Sequence, residues 1–210
     1  MWQVQNARVR NLEERYMNSS ETHACIQSAL CGEQEAYRQL YEVYSSSVFQ
    51  TVARFANRAE VAEELTQDVF LRVFDALDTF DASKASFYTW VQRIAYHYSV
   101  SYLRSRKPPP LVSLNEDEAA MQHISETALQ EAFDEPQSDT VEALMQIIEK
   151  LEPEEQHLLT LYYFEDRPLK EIAYIMDVHP PALSSRLSRI RKKIYFILTS
   201  SSHERSSTLR

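Results

Sequence analysis

The sequence predicts an all-α protein: two small helical domains, the second a helix-turn-helix, joined by a flexible acidic linker. Three observations carry the fold class. Glycine occurs once in 210 residues, where average usage would supply roughly fifteen. Sheets and tight hairpins draw on glycine for positive φ angles, whereas helices are weakened by it. Apolar residues recur at steps of three and four in two long stretches, the period of an amphipathic helix. Between those stretches lies an acidic run with poor apolar spacing.

Residues 1–24 read as a polar N-terminal extension, with Met17 a plausible alternative start. From Cys25 the pattern is helical. Ile26, Ala29 and Leu30 share a face, and Gly32 sits where a helix C-cap belongs. A second helix follows from Ala36, Tyr37, Leu40, Tyr41, Tyr44, Val48, Phe49 and Val52. In the third, "NRAEVAEELTQDVFLRVFDALDTF", Val61, Leu65, Val69, Val73 and Leu77 line one side, with Phe70 and Phe74 beside them. "DASKAS" is a polar turn. "ASFYTWVQRIAYHYSVSYLRSR" forms the fourth helix, which "RKPPP" must end, because proline cannot continue it.

Residues 107–139 change character. Glu116, Asp117, Glu118, Glu126, Glu131, Asp134, Glu135 and Asp139 face a single base, Lys107. This is a tether with at most a short helix near 126–133. Helical order returns at Val141, with Leu144, Ile147, Ile148 and Leu151 on one face. The second domain spans 140–198, and 199–210 is a polar tail.

Within that domain Pro153 suits a first helical turn, and the acids after it favour the helix dipole. Leu158, Leu159, Leu161, Tyr162 and Phe164 are its apolar residues. "RPLKEIAYIM" turns Leu169, Ile172, Ala173 and Met176 inward. Asp177, Val178 and His179 make a turn, and a last helix starts at Pro180 or Pro181 with Leu183, Leu187 and Ile190 inward. Helix, short turn, helix is the arrangement of a helix-turn-helix. The outer face of the last helix carries Ser184, Ser185, Arg186, Ser188, Arg189, Arg191, Lys192 and Lys193. Arg186 is placed for a guanine edge, and Arg189, Arg191 and Lys192 for phosphates. A basic helix end also complements the helix dipole on a merely solvated face; the helix-turn-helix spacing favours DNA.

Net charge is −9, which argues against a general, free-standing DNA binder. No run of eighteen apolar residues occurs, so no transmembrane helix is expected. The N-terminus lacks an apolar signal core, so export is not expected and the chain reads as cytoplasmic. Cys25 and Cys31 read as reduced thiols; with His23 they fit no common zinc spacing, and no metal or cofactor is expected. There is no phosphate-cradling glycine loop, no His/Glu metal helix and no nucleophile elbow, so the chain is not read as an enzyme.

Taken together, "AEELTQDVFLRVFDAL", "FYTWVQRIAYHYSVSYLRSR", a tether and "LEPEEQHLLTLYYFEDRPLKEIAYIMDV…SSRLSRIRKK" resemble the extracytoplasmic-function (group four) sigma factors of bacterial RNA polymerase. The resemblance covers about residues 25–198. It implies a region-two domain over 25–106 and a region-four helix-turn-helix over 140–198. It also implies core RNA polymerase and promoter DNA as partners, with an anti-sigma factor a common further partner of relatives and no membrane insertion. Carried over, Glu64, Gln67, Asp68, Leu71 and Arg72 would dock on a coiled coil of the polymerase's largest subunit. Val61 stands where the family often has Asp.

The family's promoter-melting segment falls on the fourth helix, where aromatics alternate with arginines and no acid appears. Phe87, Val91, Ile94, Ala95, Tyr98 and Tyr102 share one face, the expected core. Tyr88, Arg93, Tyr96, His97, Val100 and Arg104 are left on other faces. Aromatics beside arginines are what single-strand capture needs, each stacked base contributing roughly 1–3 kcal/mol. By resemblance the loop 80–87 would hold the flipped base of the minus-ten element, with Phe80 and Lys84 in it and Arg106 at the far end of the basic helix. Position 97 is often Asn in relatives; here it is His97. The acidic linker would thread the polymerase's basic channels. A conventional helix-turn-helix regulator with an N-terminal sensing or dimerisation domain is the alternative reading. It should bind duplex operator alone, whereas a sigma factor should need core polymerase. Trp90→Ala is expected to unfold the first domain, while substitutions of Tyr88, Tyr96 or Arg93 are expected to spare folding and to reduce open-complex formation in a transcription assay.

Overall fold

The computed structural model describes residues 16–106 and 138–207. The expected linker, except its last two residues, and the first part of the extension lie outside the described residues. Every described element is helical: α1 (Ser19–Leu30), α2 (Gln34–Val52), α3 (Ala59–Asp75), a 3-10 turn (Leu77–Thr79), α4 (Phe87–Arg106), α5 (Ser138–Glu149), α6 (Pro153–Leu159), a π turn (Thr160–Phe164), α7 (Leu169–Met176) and α8 (Pro180–Ser207). Two compact units form: residues 1–107 with 160–178, and residues 108–159 with 179–210. None of the described helices is long and apolar enough to cross a membrane.

In the first unit α1 starts earlier than its apolar spacing indicates. Asn18 Oδ1 accepts the Glu21 N–H at 2.9 Å, and Glu21 Oε2 accepts the Asn18 N–H at 3.1 Å. This reciprocal box satisfies donors that a helix start leaves open. The opening turn is polar, so periodicity cannot register it. The helix closes on Gly32 as expected, at φ +89, with the Gly32 N–H on Ala29 O at 2.8 Å and the Glu33 N–H on Ser28 O at 3.1 Å. Leu30, expected inward, is 45% exposed, because it falls beside the buried stripe of Thr22, Cys25, Ile26 and Ala29.

Leu40, Tyr44, Val48 and Val52 of α2 and Val61, Leu65, Val69 and Val73 of α3 form the core with Leu77 and α4. Along α4 the buried stripe is displaced from the expected one. Tyr88, Tyr96 and Val100 are buried, whereas Ile94, Tyr98 and Tyr102 are only partly so. The cause lies in Gln92 and Ser99, polar residues that are nonetheless buried. Thr51 Oγ1 donates to Gln92 Oε1 at 2.6 Å, and Ser99 Oγ donates to Ala95 O at 2.7 Å. These bonds give Gln92 Oε1 and the Ser99 hydroxyl partners inside, though Gln92 Nε2 is left without one, and the stripe runs through 88, 92, 95, 96, 99 and 100. Trp90 is buried, as expected.

The same unit includes the π turn, whose Glu165 N–H reaches Thr160 O at 3.0 Å. The wider turn keeps Leu161 buried and leaves Phe164, one of the apolar residues of this stretch, at 55% exposure. In α7, Ile172, Ala173 and Met176 are buried as expected, joined by Ile175. Asp177, in the left-handed conformation at φ 55, ends this helix.

The second unit buries Ile147, Leu151, Leu158 and Leu159 with Leu183, Leu187, Ile190 and Ile194. Lys193 Nζ pairs with Glu155 Oε2 at 2.9 Å, tying α8 to α6. α5 begins at Ser138, ahead of Val141, and α8 continues to Ser207 beyond the expected end at 198. No proline or glycine after Pro181 interrupts it.

At Gly32 an added Cβ would meet no atom within 4 Å, so the cost of a side chain there is backbone strain alone. Gly32→Ala is expected to lower stability by about 1–2 kcal/mol, and Gly32→Asn by less, since Asn tolerates left-handed φ. Urea unfolding of the variants checks this; an unchanged midpoint for the Ala variant would remove the argument.

Candidate nucleic-acid interface

The loop before α4 is held by its own short hydrogen bonds. Asp81 Oδ1 accepts the Ser83 N–H at 2.9 Å and the Ser83 hydroxyl at 2.6 Å. Asp81 also pairs with Lys84, at 3.2 Å. The Ser83 hydroxyl and N–H, then Lys84, lower the Asp81 carboxyl to about 2. Phe80 anchors the loop's start, its ring edge-on to Phe87 at 5.2 Å and tilted against Trp90 at 5.6 Å. Lys84 thus stands out to solvent on a loop pinned at both ends, as a cation meeting phosphate requires.

The other expected minus-ten residues lie along α4. Arg104 and Arg106 are exposed, the Arg106 guanidinium resting 4.5 Å over the Tyr102 ring. His97 is exposed beside Tyr96, ring centroids 5.2 Å apart. Tyr88 and Tyr96, expected to be exposed, are 7% and 4% exposed. Tyr96 packs edge-on to Phe55 at 6.0 Å. Tyr88 lies under Tyr16 (4.8 Å between rings) and under the Arg167 guanidinium at 4.2 Å. Alanine at either position therefore removes core packing, and the expectation that both substitutions spare folding is corrected.

Polar contacts from residues 160–178 cover this side of α4. The Tyr88 hydroxyl donates to Glu165 Oε2 at 2.7 Å. Burial, with that carboxylate adding to it, pushes the Tyr88 phenol well above its ordinary pKa. Thr89 Oγ1 donates to Glu171 Oε2 at 3.2 Å. Arg93 pairs with Asp177 at 2.9 Å, donates to the Tyr174 carbonyl and lies 4.9 Å over the Tyr174 ring. Sequence reasoning missed Tyr16, Glu165, Arg167, Glu171 and Asp177, since nothing in their local spacing points to α4.

The α3 residues come together as expected. Glu64, Gln67, Asp68, Leu71 and Arg72 are all exposed, and Leu71 is 63% exposed while Val69, Phe70 and Val73 beside it are buried. Tyr98 joins this face: its hydroxyl donates to Asp68 Oδ2 at 2.7 Å, and the Arg72 guanidinium lies 4.5 Å over its ring. Its partial exposure, unexpected from the sequence, follows from that engagement.

In the second unit Ser184, Ser185, Arg186 and Arg189 are exposed on the first turns of α8, and Arg191 and Lys192 are half-buried farther along. The Ser184 and Ser185 hydroxyls bond back to Pro180 O at 3.4 Å and Pro181 O at 3.1 Å. Among the described residues no group of three or more His, Cys, Asp or Glu is arranged to hold a metal ion. Cys25 is buried, its thiol directed at Ala36 O at 3.4 Å, and Cys31 is exposed.

Two family descriptions match the chain in order: Sigma-70 region 2 over residues 40–108 and Sigma-70, region 4 over residues 141–194. The chain is 32% identical over 170 residues to the ECF RNA polymerase sigma-E factor of Escherichia coli (strain K12), covering 78% of this chain and 86% of that protein. It is 29% identical over 170 residues to the RNA polymerase sigma-H factor of Pseudomonas aeruginosa, with the same shares covered. The solved structure of CnrH in complex with the cytosolic domain of CnrY has a similar fold. That likeness has a TM-score of 0.54 at 20% identity, over 84% of this chain and 96% of that one.

Asp81 gives the interface a pH dependence of known sign. Its folded pKa lies below the unfolded value of 3.8, so its contribution is fully present above 3.8 and is lost as pH falls toward about 2. An NMR titration should find the Asp81 carboxyl with its midpoint near 2, and Ser83→Ala should move it up toward 3.8. A midpoint already at 3.8 in the unsubstituted chain would refute the loop geometry.

Proposed function

This chain belongs to the extracytoplasmic-function sigma factors of RNA polymerase, and on that premise we propose how its surfaces divide the work of starting transcription. As a sigma factor it binds core RNA polymerase and promoter DNA. The α3 face of Glu64, Gln67, Asp68, Leu71 and Arg72 docks on the coiled coil of the polymerase's largest subunit. The loop 80–87 and α4, through Phe80, Lys84, Arg93, His97, Arg104 and Arg106, recognise and melt the minus-ten element; Tyr88 and Tyr96, expected to act there too, are buried in the free chain. Ser184, Ser185, Arg186, Arg189, Arg191 and Lys192 of α8 read the minus-thirty-five duplex. The domains that act on the promoter are taken as 25–106 and 140–198, although in the free chain 160–178 packs with the first of them; the acidic linker runs through the polymerase's basic channels. Bond making belongs to the polymerase, in the cytoplasm; this chain supplies position and strand capture.

The observation that supports this division best is Leu71. It is the large apolar side chain α3 turns outward, 63% exposed, amid acids and a cation that keep such a face soluble until a partner covers it. Docking matters because the chain is acidic overall, net −9. The polymerase must supply affinity that long-range attraction to DNA does not. Once docked, the chain offsets the few kcal/mol needed to pull a base from the stack by stacking and phosphate contacts. A conventional helix-turn-helix regulator is not favoured, since the region-2 match accounts for the N-terminal half that a sensor domain would have to fill.

In-vitro transcription with core polymerase, mapping start sites over a genomic library, tests the reading directly. Leu71→Ala should change folding stability by no more than about 0.5 kcal/mol. It should cost more than about 1 kcal/mol in core-polymerase affinity measured by fluorescence titration. Arg186→Ala should cost about 1–3 kcal/mol at one base pair of the upstream element, and Lys192→Ala should weaken all sequences alike. A chain that binds operator duplex tightly without polymerase, and starts no transcripts with it, would overturn the assignment.

A further inference from the structure

Tyr98 follows His97 on α4, yet its side chain engages α3. Its hydroxyl donates to Asp68 Oδ2 at 2.7 Å, and its ring lies under the Arg72 guanidinium at 4.5 Å. Asp68 and Arg72 stand one helical turn apart with opposite charges, and a pair so spaced tends to close on itself. Here both engage Tyr98, through different parts of it: the hydroxyl at its rim and the face of its ring. The ring is half-buried, above a stretch of α3 whose Val69, Phe70 and Val73 are core. Burial, and then the Asp68 carboxylate at its hydroxyl, raise the Tyr98 phenol above its ordinary pKa, so the hydroxyl keeps the proton that it donates.

We propose that Tyr98 is a positioning residue for the polymerase-docking face: from α4 it fixes the Asp68 carboxylate and the Arg72 guanidinium in the arrangement that the coiled coil of the largest subunit meets. The inference rests on the docking assignment of α3 made above, and adds to it a residue from a different helix. A carboxylate accepts through two oxygens. Tyr98 uses one of them in a charge-assisted bond, which sets the rotation of the group and aims the other oxygen at a donor of the partner. Arg72 carries a long side chain with many rotamers. Held over a ring, it has less freedom to lose when a partner binds, and affinity gains by that amount. The two charges flank Leu71, the apolar side chain most exposed on this helix at 63%. Fixing them therefore fixes the polar border of the one apolar contact α3 offers there.

The test measures core-polymerase affinity of the full chain by fluorescence titration, for Tyr98→Phe, Asp68→Asn and the two combined. Tyr98→Phe keeps the ring under Arg72 and removes only the hydroxyl. Tyr102→Phe is the control. It makes the same change one turn along α4, where the hydroxyl is buried without a hydrogen-bond partner among the described residues. Tyr98→Phe is expected to weaken binding about fivefold, and Tyr102→Phe to leave it unchanged. In the Asp68→Asn background the further loss from Tyr98→Phe is expected to stay below about twofold, since no carboxylate is left to fix. A loss just as large in that background overturns the proposal, because Tyr98 then acts on the polymerase or on folding and not through Asp68. Unchanged affinity for Tyr98→Phe, or an equal loss for Tyr102→Phe, overturns it as well. A second measurement leaves Tyr98 in place. By NMR of ring-labelled tyrosine, its phenol is expected to titrate lower in Asp68→Asn than in the unsubstituted chain, and an equal titration also sinks the proposal. If Asp68→Asn and Leu71→Ala both bind core polymerase as tightly as the unsubstituted chain, the docking assignment fails and the inference fails with it. If they bind more weakly and Tyr98→Phe does not, this inference alone ends.

Discussion

The buried hydrogen bond from Thr51 to Gln92, 2.6 Å long, sets the rotation of α4, and much of the first unit depends on that rotation. A buried amide oxygen without a partner would cost more than the bond itself contributes, and α2 brings a hydroxyl to meet Gln92 Oε1, while Gln92 Nε2 is buried without a hydrogen-bond partner among the described residues. With Gln92 inside, Tyr88 and Tyr96 turn inward as well, and Tyr98 turns toward Asp68 and Arg72. One polar pair thereby decides which aromatics are core, which support the α3 face and which lie under the 165–177 stretch.

The aromatic cluster at the start of α4 transmits this placement to the loop. Phe80, Phe87 and Trp90 pack ring against ring, and Tyr44 meets Phe87 at 5.1 Å. Aromatic pairs of this geometry add to the energy of burial. They also fix the two ends of a loop whose middle is held by Asp81, Ser83 and Lys84. The loop is therefore set in advance, and little conformational entropy remains to be lost when it meets a ligand.

The exposed features carry opposite chemistries on separate elements. α3 presents an apolar side chain among acids, as suits a protein partner, whereas the first turns of α8 present serines and arginines without acids, as suits a duplex. A chain of net charge −9 can bind DNA only if its basic residues are clustered and its approach is guided. The family membership supplies the guide in the polymerase. The contacts around Tyr88 and Arg93 show that the acids of this chain also act within it, on its own cations.

Much was legible in the sequence. The single glycine and the three-and-four spacing determined an all-helical fold, because a helix repeats its buried face at a fixed local period. The stripe Val61, Leu65, Val69, Val73 and Leu77 was read correctly for that reason, as were the closing of α1 at Gly32 and the inward Leu183, Leu187 and Ile190. The α3, α4 and α7–α8 segments, in that order, resembled the family to which the region matches assign the chain. Where reading failed, a polar residue had been satisfied by a partner distant in sequence, or a turn had departed from helical period. Gln92, met by Thr51, displaced the α4 stripe, the π turn broke the helical period at Thr160–Phe164, and Glu165, Glu171 and Asp177 reached α4 across some eighty positions. Local pattern encodes which residues prefer burial. Only the tertiary structure decides which polar groups find partners there, because that depends on contacts between segments whose separation along the chain carries no period to read.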